Sequence, residues 1–334
     1  MKKIAALACL ISLAIAVPVV AHHSAAAYNT QQEIKVVGTV TVYNFKNPHV
    51  YMTLQVKKPD GTTGTMEVEA GAASVLSPLG FNKDSVKVGE VVTVTGNPSR
   101  NSPDKEMLGR DLTKSDGSYI PLNIASRSVY ASSSTSAATT IAGTWFSPMR
   151  SFTGFLGGAR GWPTNDKARA AAVTDPKGNT QKDCVPIGIP ALMFYPVANT
   201  IKVERDRVVM DVDWMDSERI IYLDGRKHPP ATQTSLLGHS VGRWEGTTLV
   251  VETTNFKEHS MGISTTVPSS TQKKVTEKFT VGPDGKTLVY SGTIEDPVYL
   301  NGPINWSGTW EYRPNMPHSN QKCDVEVARR FLAQ

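Results

Sequence analysis

The sequence predicts a mainly β protein in two parts: a small barrel of the OB kind, then an antiparallel lipocalin-like (calycin) barrel or sandwich. Three observations carry this prediction. Apolar and polar residues alternate over many short runs, as at 34–43 and 50–56. Turn pairs separate the runs, among them Asp60-Gly61, Asp116-Gly117, Asp224-Gly225 and Glu245-Gly246. A small-polar tract at 127–140, rich in Ser, Thr and Ala, divides the chain.

The elements follow in order. Lys2 and Lys3 precede an uncharged run at 4–20, and Val19-Val20-Ala21 offers a cleavage site. Residues 1–21 therefore read as a signal peptide, and the protein as exported to the periplasm. Residues 22–126 form the OB-like domain. Strands are expected at 34–43, 50–56, 64–69 and 91–96, with a helix at 72–79 stopped by Gly80 and a last strand pair around Asp116-Gly117. Residues 127–140 read as a linker. Residues 141–334 form the second barrel, entered through Gly143-Thr144-Trp145. Its strands are expected at 203–213 (split by a hairpin turn), 219–223, 240–244, 247–254, 275–281, 287–293 and 306–312. Between them 146–195 reads as a long covering loop with one helix at 166–173.

Composition narrows the function. The chain has 35 Lys and Arg against 30 Asp and Glu, and removal of Lys2 and Lys3 leaves a mild excess of three positive charges. With no long basic block, nucleic acid is not expected as a partner. No later apolar run approaches the length of a membrane span, so none is expected after processing. Cys184 and Cys323 survive leader removal, and in an oxidising compartment they are expected to pair as a disulfide.

The passage Ala21-His22-His23-Ser24, then Gly38-Thr39-Val40, then Asn47-Pro48-His49 resembles an uncharacterised family of exported bacterial proteins over about residues 21–125. The second half resembles another uncharacterised exported family. The residues that carry it are Asp224-Gly225-Arg226-Lys227-His228-Pro229 and the run from Gly238-His239-Ser240-Val241-Gly242-Arg243-Trp244-Glu245-Gly246 to Glu252-Thr253. The resemblance implies a periplasmic β protein and no particular activity. One departure stands out. A His-rich, acid-containing segment is common in such proteins just before the element that here reads Thr276-Glu277-Lys278-Phe279, whereas this chain has 264–272 without His or acid.

Two constellations could carry chemistry. Cleavage after Ala21 would free an α-amine beside His22, and with His23 and His49 it offers a nitrogen-rich set suited to copper. A solvated terminus is the plainer alternative. The second set lies at strand ends and hairpins of the second domain. His228, His239, Glu245, Glu277 and Asp296 could move protons. Asp224, Arg226, Arg243, Trp244, Tyr290 and Trp306 could hold a ligand. Turn chemistry and structural ion pairs account for the same residues equally simply. Glu277 alternates with Val275 and Phe279, so it shares their face and needs a partner if that face is inward, with Arg243 a candidate. The expected function is a periplasmic binding protein for a small, partly apolar ligand, with copper as the cofactor in view. The alternative is a cofactor-independent acid–base enzyme: an isomerase, lyase or hydrolase. A third alternative is a module whose OB-like domain docks a protein partner.

Overall fold

The computed structural model describes residues 27–123 and 136–332. The expected leader, His22, His23 and most of the 127–140 tract lie outside the described residues.

Alternating residues in the first half give β1 (Ile34–Asn44), β2 (Tyr51–Lys57), β3 (Thr63–Glu69), β4 (Val91–Pro98) and β5 (Glu106–Lys114). They pair in the order β3-β2-β1-β4-β5, and a parallel β3–β5 pairing closes the ring. A short β6 (Tyr119–Pro121) adds beside β5. The helical turn α1 (Ala73–Leu76), continued by the 3-10 turn Ser77–Leu79, lies between β3 and β4, and Leu76 enters the core. This is the OB arrangement. Its interior is filled by Val40, Met52, Leu54, Val68, Val94 and Leu112.

Nine strands form the second barrel. They are β7 (Gly143–Phe146), β8 (Ala198–Val203), β9 (Arg207–Val212), β10 (Ser217–Tyr222), β11 (His239–Glu245), β12 (Thr248–Thr254), β13 (Lys274–Val281), β14 (Thr287–Glu295) and β15 (Ile304–Tyr312). The ring is closed, with β15 pairing back onto β7. Every neighbour is antiparallel except one. β10 and β11 run parallel, joined through Ile221–Ser240 and Tyr222–Val241. Two strands can be parallel only if the chain crosses back between them, and residues 223–238 supply that crossover. We call this contact the seam.

The second barrel is plugged. The 146–195 segment, expected as a loop with one helix, holds α2 (Met149–Gly158) as well as α3 (Asp166–Ala170) and a 3-10 turn, Ala191–Phe194. Phe152 and Phe155 of α2 are buried, and Phe194 enters the core to within 5.1 Å of the Tyr290 ring. Phe194 fits because position 308 is glycine: a Cβ there would lie 2.4 Å from its ring. Phe279 stacks on Tyr290 at 4.8 Å and Trp310 lies 5.4 Å from it, so aromatic rings occupy the interior.

The chain end ties the halves together. Cys184 and Cys323 form the expected disulfide, with Cα atoms 5.8 Å apart. Beyond it α4 (Val325–Leu332) lies against the first barrel. Phe331 packs 5.3 Å from the His49 ring and 5.8 Å from Tyr51, Lys46 pairs with Asp324 at 2.8 Å, and Arg330 pairs with Glu67. The end of the expected linker is also docked: Ala138 is buried and its N–H donates to Gly285 O at 2.8 Å. Among the described residues no helix is long and apolar enough to cross a membrane.

Candidate functional site: a cleft at the parallel seam

Among the described residues aromatic rings fill the barrel interior, and two hollows lie on its outside. One, of about 450 Å³, opens along the seam. Met215, Leu236 and Leu237 give it apolar walls; Asp216, Glu218 and His239 give it a polar side, with Arg219 and Ser240 in its floor. That volume falls in the range of small-molecule sites. Gly238 turns the chain into the cleft with φ +72°, and a Cβ there would lie 2.6 Å from Thr254 O, so both conformation and space require glycine.

Two of the expected residues meet here. His228 ends up beside His239, with their Nδ1 atoms 3.0 Å apart. His228 Nε2 lies 3.4 Å from Glu252 Oε1, and Glu252 also pairs with Lys274. On the other side, the Tyr222 ring stacks on His239 at 5.2 Å and carries the Arg226 guanidinium 3.7 Å from its centre. Asp224 holds Arg226 in place through both carboxylate oxygens. Burial lowers the His239 pKa, and His228 and Arg226 beside it push the same way. The hydrogen bond from Lys274 holds the Glu252 carboxyl below its ordinary value.

Behind the cleft floor lies a buried ionic network. Glu277 is fully buried, as its alternation with Val275 and Phe279 suggests. Its partner is Arg219, not Arg243. Arg219 Nη1 donates to Glu277 Oε1 at 2.9 Å and Nη2 to Oε2, while Tyr290 Oη donates to Oε1 at 2.7 Å. Arg219 Nε donates to Ser240 Oγ at 3.2 Å, and Nη2 to Thr253 Oγ1 at 2.9 Å. Burial works against the Arg219 charge, but Glu277 outweighs it and keeps the guanidinium protonated. Both Glu277 oxygens are thus taken up inside the barrel by Arg219 and Tyr290, behind the cleft and not in it.

The remaining expected residues lie elsewhere. Arg243 and Glu245 form an exposed pair at 2.5 Å on the β11–β12 hairpin, with Trp244 exposed between them. Asp296 is buried and clamps a loop, accepting from Ser270 N at 2.7 Å and Ser270 Oγ at 2.8 Å. Tyr290 belongs to the barrel core, and Trp306 packs between Tyr290 and Phe155. His49 sits in the first barrel with Nδ1 2.9 Å from Glu69 Oε1, under Phe331. A copper set that used this nitrogen would have to break that contact. Among the described residues no group of three His, Cys, Asp or Glu is placed to hold a metal.

Sequence reading missed Arg219, Glu252 and Lys273. The signal for Arg219 is period two: it alternates with Ser217 and Ile221, both inward. Lys273 is buried, its Nζ donating to Gly262 O at 2.8 Å and Ile189 O at 3.2 Å and lying 3.9 Å from the Phe256 ring centre. Burial pushes its pKa down to about 7. A second hollow, of about 480 Å³, lies outside the barrel between α2, α3 and residues 264–267, with Phe152, Leu156 and Val267 in its walls.

Comparison with known sequences bears on the first half. A profile described as "Family of unknown function (DUF6152)" matches residues 9–107. No curated protein matches. The matched stretch contains the Gly38-Thr39-Val40 and Asn47-Pro48-His49 passages and runs from the expected leader into β5. It stops short of the seam cleft.

Proposed function

We propose that the protein is an exported, periplasmic binding protein whose small, partly apolar ligand lies in the seam cleft against His239. The observation that supports this most is convergence. The crossover sets His228 behind His239, which lines a hollow with leucine and methionine walls, while Phe194 and its neighbours fill the barrel where a lipocalin-like ligand would sit. A ligand suited to this cleft has a hydrocarbon body and one hydrogen-bonding end, as a phenol or a small carboxylic acid does.

The test is a panel of such phenols and acids, titrated against the purified protein while the imidazole nitrogen signals of His239 are followed by NMR. At least one compound should shift them saturably, and His239→Ala should weaken its binding about tenfold, the worth of one good hydrogen bond. Thr266→Trp, which obstructs the other hollow, should leave affinity unchanged. Binding that ignores His239→Ala and is lost in Thr266→Trp would move the site to the outer groove and sink this reading.

A further inference from the structure

The seam cleft holds more than a hydrogen-bonding imidazole. His239 lines it with Nδ1 turned to His228, which leaves Nε2 as the nitrogen for a bound molecule. His228 turns its own Nε2 to Glu252, and Glu252 is paired with Lys274. A carboxylate, two imidazoles and a hollow thus follow one another in a line. Resting on the binding reading above, we infer that His239 is a general base that takes a proton from an enolisable ketone, with His228 and Glu252 as positioning residues that draw the positive charge away from the cleft.

The relay requires one pair of tautomers. Glu252 only accepts and faces His228 Nε2 at 3.4 Å, so the relay takes His228 with its hydrogen on Nε2 and a bare Nδ1. His239 must then donate through Nδ1, and its Nε2 bears the lone pair. In the reaction a C–H bond beside the ketone carbonyl breaks. Its electron pair remains on the substrate as an enolate and its proton goes to His239 Nε2. The Nδ1 proton of His239 can pass to His228, where the imidazolium faces Glu252. Reversal returns a proton to carbon, so in heavy water hydrogen is exchanged for deuterium with nothing oxidised or reduced. The groups facing His239 are His228, Arg226 and Asp224, with the Tyr222 ring against it. Burial, His228 and Arg226 lower its pKa and Asp224 opposes them, so His239 is a neutral base at pH 7.

The probe is 2-tetralone in deuterated buffer, with loss of its α-hydrogen signal followed by proton NMR. Wild-type protein should speed exchange above buffer, along a pH profile whose midpoint lies below 6.5, the ordinary imidazole value. His239→Gln should lose about a hundredfold of that rate. Glu252→Gln should move the midpoint lower, and Glu252→Asp should restore part of it. A purely structural Glu252 would change the amount of folded protein and leave the midpoint alone, which would overturn the relay. Exchange equal in wild type and His239→Gln would overturn the base. If 2-tetralone shifts the His239 nitrogen signals saturably without exchange, catalysis fails and the binding reading stands. If phenols, acids and 2-tetralone all leave those signals unmoved, both fail.

Discussion

The two barrels solve the same problem at different widths. The five-stranded barrel closes on aliphatic side chains such as Leu54, Val68 and Val94, and its buried carboxylate, Glu69, is answered by Tyr28 Oη at 2.7 Å and by His49. The nine-stranded barrel is too wide for its own strands to fill with aliphatic residues. It takes in Phe194 from a covering segment, and it holds an arginine–glutamate pair whose hydrogen bonds reach Tyr290, Ser240 and Thr253. Charge is tolerated inside the wide barrel where partners surround it. At Lys273, whose partners are two carbonyls and a ring and not a carboxylate, burial pushes the pKa down to about 7.

Breaking the ionic pair should have the largest effect. Arg219→Met strands the Glu277 carboxylate inside and should cost about 3–5 kcal/mol of stability by urea unfolding. Adding Glu277→Leu should recover most of that loss, because a matched apolar pair removes both burial penalties. If the double variant is no better than the single one, the network contributes more than mutual neutralisation.

Leu54→Ala should cost about 2–4 kcal/mol, by the cavity left in a closely packed interior. Its cost should be the same at pH 6 and pH 9, since Leu54 and its neighbours in that core carry no proton that titrates there. A pH-dependent cost would show that packing in the small barrel's core is coupled to ionisable groups, the nearest being the His49–Glu69 pair of the same barrel.

The smallest effect has the opposite sign. Lys273 titrates at about 7 in the fold and at the ordinary 10.5 when unfolded. Between those values the unfolded chain binds more protons, so stability should rise with pH from 7 to 10.5 and be lowest below 7. Lys273→Met should stabilise by about 1–2 kcal/mol at pH 6 and flatten the rise. A destabilised Lys273→Met at pH 6 would mean that the two carbonyls and the Phe256 ring hold the ammonium better than burial opposes it.

Most strands were legible because alternation and turn pairs are local. Residues 50–56 and 287–293 become β2 and β14 almost unchanged. The helices were harder. α2 contains Gly154, Gly157 and Gly158, poor helix formers, and it exists because Phe152 and Phe155 are buried against the plug. α4 is short, and its inward face is matched by a barrel some 280 residues earlier. At the site, the pairing of His228 with His239 could not be read from their spacing. It depends on the direction of β11 relative to β10, which a long crossover leaves open. Arg243 is a candidate from the same polar set as Glu277, but it lies exposed on β11. Arg219 is the partner because its strand parity points it inward.

The last helix has a bearing on how the protein comes into being. Synthesis runs from N- to C-terminus, so the small barrel can close early yet keeps a bare apolar spot around His49 and Tyr51 until Phe331 arrives. Phe331 is added only after every strand of both rings. A chain stopped before Val325 would still contain both complete rings and would lack the helix that clasps them.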